Sequence, residues 1–274
     1  MLIAGIVFIA IGIALLFWST KKKRGAAVMA TTETSRIGDL AALVESVRAE
    51  LPGGGASGYA EVVELKGTIR CSDPVVGELS GQPAAICESR VLRIMETRHE
   101  TRDSQGTVRT DWRKSEEVVS QNRREAAFHL DDGSGRVRVL PAGAKLDLDK
   151  VVDRFEPPGG VEQQLGGGLS VGFGSFRVGI GAGMMGGGRR TVGYRFEERI
   201  LPVDKALYAL GEIADVEDGL VLRKPQTKGA SYLLSLKSEE ELVASATRAA
   251  RWMRVGAVAL MVLGGALAVI WLVG

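Results

Sequence analysis

Residues 248–274 read RAARWMRVGAVALMVLGGALAVIWLVG. From 255 to 273 this stretch holds nineteen residues without a charge or a strong polar group, close to the ~20 that a helix needs to cross a bilayer. Arg248, Arg251 and Arg254 stand on its upstream shoulder. A second apolar run lies at the other end of the chain: residues 2–18, LIAGIVFIAIGIALLFW, followed by Ser19, Thr20 and the cluster Lys21-Lys22-Lys23-Arg24. A cleaved signal peptide carries its positive charge before the apolar run and small residues after it. Here the charge comes after, so the run reads as an uncleaved membrane helix. The positive-inside rule puts the basic end of each helix on the cytoplasmic side. Both ends of the intervening region therefore emerge on one face, and that face is cytoplasmic. Small residues four apart, Ala10 with Ala14 and Gly264 with Ala268, offer surfaces on which the two helices can pack.

Between the two anchors lie about 230 of the 274 residues, enough for a real core. The 35 basic and 33 acidic residues nearly balance, which argues against a nucleic-acid binder with its concentrated basic face. Cys71 and Cys87, with fifteen residues between them, read as two buried reduced side chains, with a disulfide or one reactive thiol as alternatives. There is no CxxC, and the chain has two histidines, so no metal site is expected.

Residues 35–52, SRIGDLAALVESVRAELP, place Ile37, Leu40, Leu43, Val44, Val47 and Leu51 at helical spacing. Ser35 is the expected cap and Gly53-Gly54-Gly55 the expected stop. This is an amphipathic helix docking on the domain, with a membrane-surface helix as the alternative. From Tyr59 the pattern turns to strands: 59–71, 84–97 and 108–119, the last two joined at a Ser104-Gln105-Gly106 tip. A hairpin follows, AFHL then DDGSG then RVRVL, in which Phe128 and Leu130 alternate with His129, and Val137 and Val139 with Arg136 and Arg138. His129 beside Asp131 and Asp132 suggests metal or acid–base chemistry, but without a ligand set the pattern reads as an exposed strand histidine next to a turn.

Residues 159–193 hold fourteen glycines in thirty-five positions, with runs at 166–168 and 186–188. The stretch lacks the Gly-Lys-Ser/Thr ending of a P-loop. It reads as a flexible inserted loop. The alternative is a glycine-rich hairpin of Leu169, Val171, Phe173, Phe176, Val178 and Ile180 that touches the bilayer or a neighbouring subunit. Strands resume from Tyr194, broken at Pro202-Val203-Asp204 and Glu217-Asp218-Gly219, with a last strand over 232–236. Ser238-Glu239-Glu240-Glu241 is a capping box. The helix that it starts meets no breaker before the membrane, so one continuous helix should run from domain to bilayer.

These pieces occur in a telling order. A membrane helix, a strand-rich region, GYR-x-E-E at 193–198, GE at 211–212, YLLSLKSEEEL at 232–242 and a second membrane helix together resemble the GIDE family. Its best-known members are the membrane-anchored ubiquitin ligases of mitochondria and chloroplasts, whose middle portion is called the BAM (beside-a-membrane) domain. The matching stretches are 59–70, 127–155 (AFHLDDG, RVRVLPAGA and DRFEP) and 193–252. The ligases carry a RING finger after the second membrane helix, with Cys/His ligands around two zinc ions. This sequence stops at Gly274 without a CxxC, so ligase activity does not carry over from the resemblance. The relatives are also less glycine-rich where this chain has its insert, and in the mitochondrial ligase the middle domain faces the intermembrane space. A chain rich in Ala, Gly and Arg without the RING resembles a prokaryotic member, for which the charge rule is the guide.

The expected architecture is α+β: a transmembrane helix at 1–20, a basic linker at 21–34, the amphipathic helix at 35–52, one β-rich GIDE/BAM-like domain at 56–237 with its glycine-rich insert at 159–190, a helical stalk at 238–254 and a second transmembrane helix at 255–274. The expected protein sits in a bacterial inner or plasma membrane with its middle domain in the cytoplasm. It has no catalytic set, cofactor or metal, and its partners are the lipid bilayer and an unknown protein, with a homo-oligomer as a further possibility and no nucleic acid. Three functions are open: a membrane-tethered binding or assembly module; an enzyme, either a ligase-like component served by a separate RING chain or a hydrolase; and an oligomer built through the glycine-rich insert. Against a hydrolase, no serine elbow is read and neither cysteine has a histidine nearby in sequence. A cysteine within reach of His99 or His129 would favour it.

Overall fold

A computed structural model describes residues 2–31, 33–50, 57–102, 106, 108–165, 168–173, 176–180 and 188–273. The glycine stop at 53–55, Leu51, most of the 104–106 tip and most of both glycine runs lie outside the described residues. The chain is β-rich α+β, with a long helix at each end. Where one middle domain is expected, the chain forms two compact units, residues 1–68, 130–147 and 206–274 in the first and 69–129 and 148–205 in the second.

The first unit contains α1 (Leu2–Thr31), α2 (Ile37–Glu50), β1 (Ala60–Arg70, ending in the second unit), β5 (Phe128–Asp131, beginning in the second unit), β6 (Arg136–Val139), β7 (Lys145–Asp147), β13 (Ala206–Val216), β14 (Gly219–Arg223), β15 (Leu233–Ser235) and α4 (Glu239–Val273). Its strands run in the order β1-β5-β6-β14-β13-β15-β7, and β1 also pairs with β13. That last pairing closes β1, β5, β6, β14 and β13 into a ring, so the five strands leave no open edge between them. β6 and β14 run parallel and β13 runs antiparallel to both β1 and β14. This is the order and the one parallel contact of an OB-type Greek-key barrel. Inward positions are apolar, with Leu65, Leu130, Val137, Ile213 and Leu222 buried, and the alternation along 136–139 follows the sequence pattern.

The second unit contains β2 (Val75–Val76), β3 (Pro83–Arg102), β4 (Val108–Glu125), β8 (Asp149–Glu156), α3 (Pro158–Val161), β9 (Glu162–Leu165), β10 (Gly168–Phe173), β11 (Phe176–Ile180) and β12 (Arg189–Pro202). One sheet runs β2-β3-β12-β8 with β4 on β3, and a second runs β11-β10-β9. The second sheet corrects the loop expectation for the glycine-rich stretch. Val171 is fully buried with Val91, Tyr194 and Phe196, and Phe176 packs beside them. Burial of these apolar residues outweighs the cost of glycine in a strand, which is about 0.5–1 kcal/mol per residue. Gly172 also has a steric reason, since a Cβ there would lie 2.8 Å from the Phe176 carbonyl oxygen.

Two helical boundaries also differ from expectation. α1 continues through Lys21–Arg24 to Thr31, where a linker is expected, because Lys, Arg, Ala and Met are good helix formers and nothing in the run breaks the ladder. α2 is not capped by Ser35. Asp132 Oδ2 accepts the Ile37 N–H at 2.8 Å and Ser134 Oγ accepts that of Gly38 at 2.9 Å, so the DDGSG turn supplies the cap. Ile37, Leu40 and Val44 are buried, which is the docking role; Leu43 is exposed.

Candidate functional site

α1 and α4 are both long and apolar enough to cross a membrane, over Ile3–Thr20 and within Glu239–Val269. A core helix of a soluble protein hides its apolar side chains. Here Ile3, Ile6, Ile13, Phe17, Val262 and Leu263 stand exposed, an apolar surface that suits lipid. Trp252 and Trp271 are exposed nineteen residues apart, about 28 Å along a helix. That matches the ~30 Å hydrocarbon core flanked by its aromatic belts.

The two helices meet along a seam of small residues seven apart on each: Gly5, Gly12 and Ser19 against Gly264, Ala257 and Ala250, all buried. A Cβ on Gly264 would fall 2.7 Å from the Gly5 carbonyl oxygen, and one on Gly5 2.8 Å from that of Gly264. A Cβ on Gly12 would be 3.0 Å from the Ala257 carbonyl oxygen. The four-residue spacing misidentified half of this seam, for Ala10 and Ala14 are exposed. At its lower end Arg254 Nε donates to Ser19 Oγ at 3.0 Å, and Ser19 Oγ donates to the Ala250 carbonyl at 3.3 Å. The basic end of the pair thus carries a polar clasp.

The start of α4 is fastened to the first unit's barrel. The capping box forms, Ser238 Oγ accepting the Glu241 N–H at 3.3 Å while Glu241 accepts the Ser238 N–H at 3.2 Å. Lys66 Nζ lies 2.8 Å from Glu239 and 3.1 Å from Glu64, and Lys237 Nζ donates to Asp147 at 2.8 Å. Glu64, wholly buried, also accepts hydrogen bonds from Thr34 and Tyr208, both at 2.8 Å. Burial and the Glu64 carboxylate push the Tyr208 hydroxyl far up. Leu242 packs against Tyr208, Leu210 and Leu233. Asp215 ties α2 to the start of β1: it pairs with Arg48, accepts the Ser57 N–H at 2.6 Å and is held at about 2, chiefly by the Arg48 hydrogen bond.

In the second unit, Glu88, Arg90, Gln121, Glu197 and Arg199 line a polar pocket. Burial would raise the Glu197 carboxyl, but Arg90 and Lys150 outweigh it and hold it below the usual range. A carboxylate neutralised in this way is a poor general base. Glu198, buried, accepts the N–H groups of Leu79 at 2.7 Å and Ser80 at 3.0 Å and so fixes that turn.

The residues that suggested chemistry are occupied otherwise. Cys71 and Cys87 are free thiols rather than a disulfide. Cys87 is buried and pushed up to about 11 by burial and Glu198, and Cys71 is only half-buried, its thiol donating to the Ala127 carbonyl at 3.4 Å. His99 and His129 are exposed on strands. Asp131 pairs with Arg136, and Asp132 caps α2. Residues 168–172, GLSVG, do match GxSxG, which the expectation of no serine elbow overlooks. Ser170 nevertheless sits inside β10, buried and opposite Gln163 and Gly179, instead of on a strand-to-helix turn. Among the described residues no group of three or more His, Cys, Asp or Glu is placed to hold a metal ion.

The profile of the GIDE family, described as E3 ubiquitin ligase, matches residues 96–270, close to two thirds of the chain. No curated protein and no solved structure matched.

Proposed function

Because this chain belongs to the GIDE family, we propose that it is a membrane-anchored module that presents its strand-rich middle region on the cytoplasmic side of a bacterial inner membrane, where it binds a protein partner or self-assembles. The observation that carries this reading is the anchor. Two antiparallel helices share one small-residue seam, and α4 is pinned to the barrel by Lys66–Glu239, Lys237–Asp147 and Leu242. Such a joint fixes a protein surface at a set place beside the bilayer. Lys21–Arg24 and Arg248, Arg251 and Arg254 fall at the same end of the helix pair, which favours the cytoplasm by the positive-inside rule.

The family's description favours a second reading, in which the module is the membrane component of a protein-modifying system whose catalytic centre another chain supplies. Crosslinking in native membranes, followed by identification of what is captured, separates the two. A ubiquitin-like conjugation factor supports the second reading, and a copy of this chain or an unrelated protein supports the first. Protease treatment of sealed vesicles of known orientation tests the side. Cleavage of the middle region only in inside-out vesicles is expected, and cleavage in right-side-out vesicles would overturn the cytoplasmic placement.

A further inference from the structure

β4 pairs with β3 along its whole length, and no other described strand pairs with its far edge. From Val108 to Val118 every residue of β4 is exposed, Trp112 and Val118 included. An open edge of this length is normally protected by charges that repel a second strand. Here the charges do the opposite in one register.

An antiparallel ladder sets residues opposite each other in pairs that both turn their N–H and C=O groups towards the partner strand or both away from it. The ladder with β3 fixes which residues of β4 turn outward, so a twofold pairing of two β4 strands must be centred on a residue, with its neighbours meeting symmetrically. Centred on Ser115, Arg113 meets Glu117 and Lys114 meets Glu116, each twice by symmetry, and Trp112 meets Val118. Trp112, Lys114, Glu116 and Val118 then share one face, as an apolar–charged–charged–apolar ladder. Moving the centre to the residue before sets Lys114 against Lys114 and Asp111 against Glu117. Moving it to the residue after sets Glu116 against Glu116. Regular pairing ends just past Val118, where β4 bulges against Val91 and Leu92.

Contacts within the chain leave room for this. Glu117 holds Arg93 while its side chain stays 47 % exposed, and Lys114 is 70 % exposed although it lies 3.9 Å from Glu96. Arg190 lies over the Trp112 ring at 4.6 Å and orients it.

We propose that β4 is a homodimer edge: two copies of this chain join their sheets through residues 112–118 in the register centred on Ser115. The proposal rests on the self-assembling half of the reading above and names its surface. The charge pattern, complementary in this register and repulsive in its neighbours, selects one pairing.

The test uses the full chain in its native membrane with Cys71→Ser, Cys87 being buried. Opposed residues on antiparallel strands have Cα atoms about 4.5–5.5 Å apart, within disulfide reach. Ser115→Cys under mild oxidation is expected to give a disulfide-linked dimer. Arg109→Cys is not, because its two copies would lie roughly 40 Å apart along the ladder. Lys114→Glu should lower the crosslinked fraction on the order of tenfold, and adding Glu116→Lys should restore it. No Ser115→Cys dimer beyond the Arg109→Cys level overturns the proposal. If an amine-reactive crosslinker still captures dimers, self-assembly stands through another surface; if it captures none, self-assembly fails too. A Ser115→Cys crosslink to a different protein, or one indifferent to Lys114→Glu, also overturns the register.

Discussion

Two neighbouring glycines in the second span should respond in opposite ways to the same methyl group. Gly264 lies in the helix seam, where a Cβ would meet the Gly5 carbonyl oxygen at 2.7 Å, Ile9 Cγ1 at 2.9 Å and Phe8 Cβ at 3.2 Å. A carbonyl oxygen on a helix cannot step aside, so Gly264→Ala must push the helices apart. Overpacking of this kind costs about 1–3 kcal/mol, partly offset by the better helix propensity of alanine, at most about 1 kcal/mol. At Gly265 a Cβ meets nothing within 4 Å, so Gly265→Ala keeps only the propensity gain. The two variants should therefore differ by about 1–3 kcal/mol, roughly fivefold to a hundredfold in the equilibrium between closed and open pair. The assay is disulfide formation between Ser19→Cys and Ala250→Cys, positions at which the Ser19 hydroxyl reaches the Ala250 carbonyl at 3.3 Å. Gly264→Ala should slow this crosslink several-fold, Gly264→Leu more, and Gly265→Ala not at all. Equal rates for Gly264→Ala and Gly265→Ala would refute the close-approach seam.

The other expectations concern the units beside the membrane. Asp132→Ala removes the N-terminal cap of α2 and should cost about 1–2 kcal/mol, read as faster amide exchange over Ile37–Glu50. Asp215, held at about 2 against an ordinary 3.8, contributes stability that is fully present above about pH 4 and is lost as pH falls towards 2. Its loss is worth on the order of 2 kcal/mol. Urea unfolding between pH 2 and 5 should show it, and Asp215→Asn should flatten that limb by a similar amount. Asp132, whose carboxylate is likewise held low against its burial by the Ile37, Ser134 and Gly135 donors, adds to the same limb. Gly193→Ala places a Cβ 2.4 Å from Phe155 Cζ and 2.5 Å from the Glu156 carbonyl oxygen. It should cost about 1–3 kcal/mol by prising β8 from β12. Gly179→Ala, with nothing within 4 Å, should change thermal stability by less than about 0.5 kcal/mol.

Much of the local structure was legible because it rests on local causes. The alternation of Val137 and Val139, the breaks at Pro202–Asp204 and Glu217–Gly219, and the Ser238–Glu241 capping box each involve residues a few positions apart, and each forms. What stayed hidden depends on distant partners. The cap of α2 comes from Asp132, ninety-five residues downstream. The helix seam has period seven only when both helices are in register, so a four-residue motif on one chain segment points partly to the wrong face. The chain passes between the two units four times, at 68/69, 129/130, 147/148 and 205/206, and no composition shift marks those places. β7 and β8 are short or charged, and the glycine-rich strands are decided by Val171 meeting Val91, Tyr194 and Phe196. Of the candidate site, the anchors were readable, whereas the free edge of β4 emerges only from knowing that its sole described partner is β3.

The motifs that carry the family resemblance have a common physical role. In GYRFEE, Gly193 makes room for Phe155, Tyr194 and Phe196 fill the core, Glu197 pairs with Arg90, and Glu198 holds the turn at Leu79 and Ser80. In GE, Gly211 clears space for the Tyr232 ring, 2.8 Å from where its Cβ would be. Glu212 accepts from Arg223 at 3.0 Å and from the Gln226 N–H at 3.1 Å. Tyr232 of YLLSLKSEEEL donates to the Leu140 carbonyl at 2.7 Å, and Ser238 and Glu241 cap the membrane helix. Each buried carboxylate in these motifs thus has its oxygens committed to donors that hold strands, turns or helix ends. The resemblance therefore tracks how the units and their anchor are built. What distinguishes this chain's action should be sought on exposed surface outside these motifs, above all on the open edge of β4.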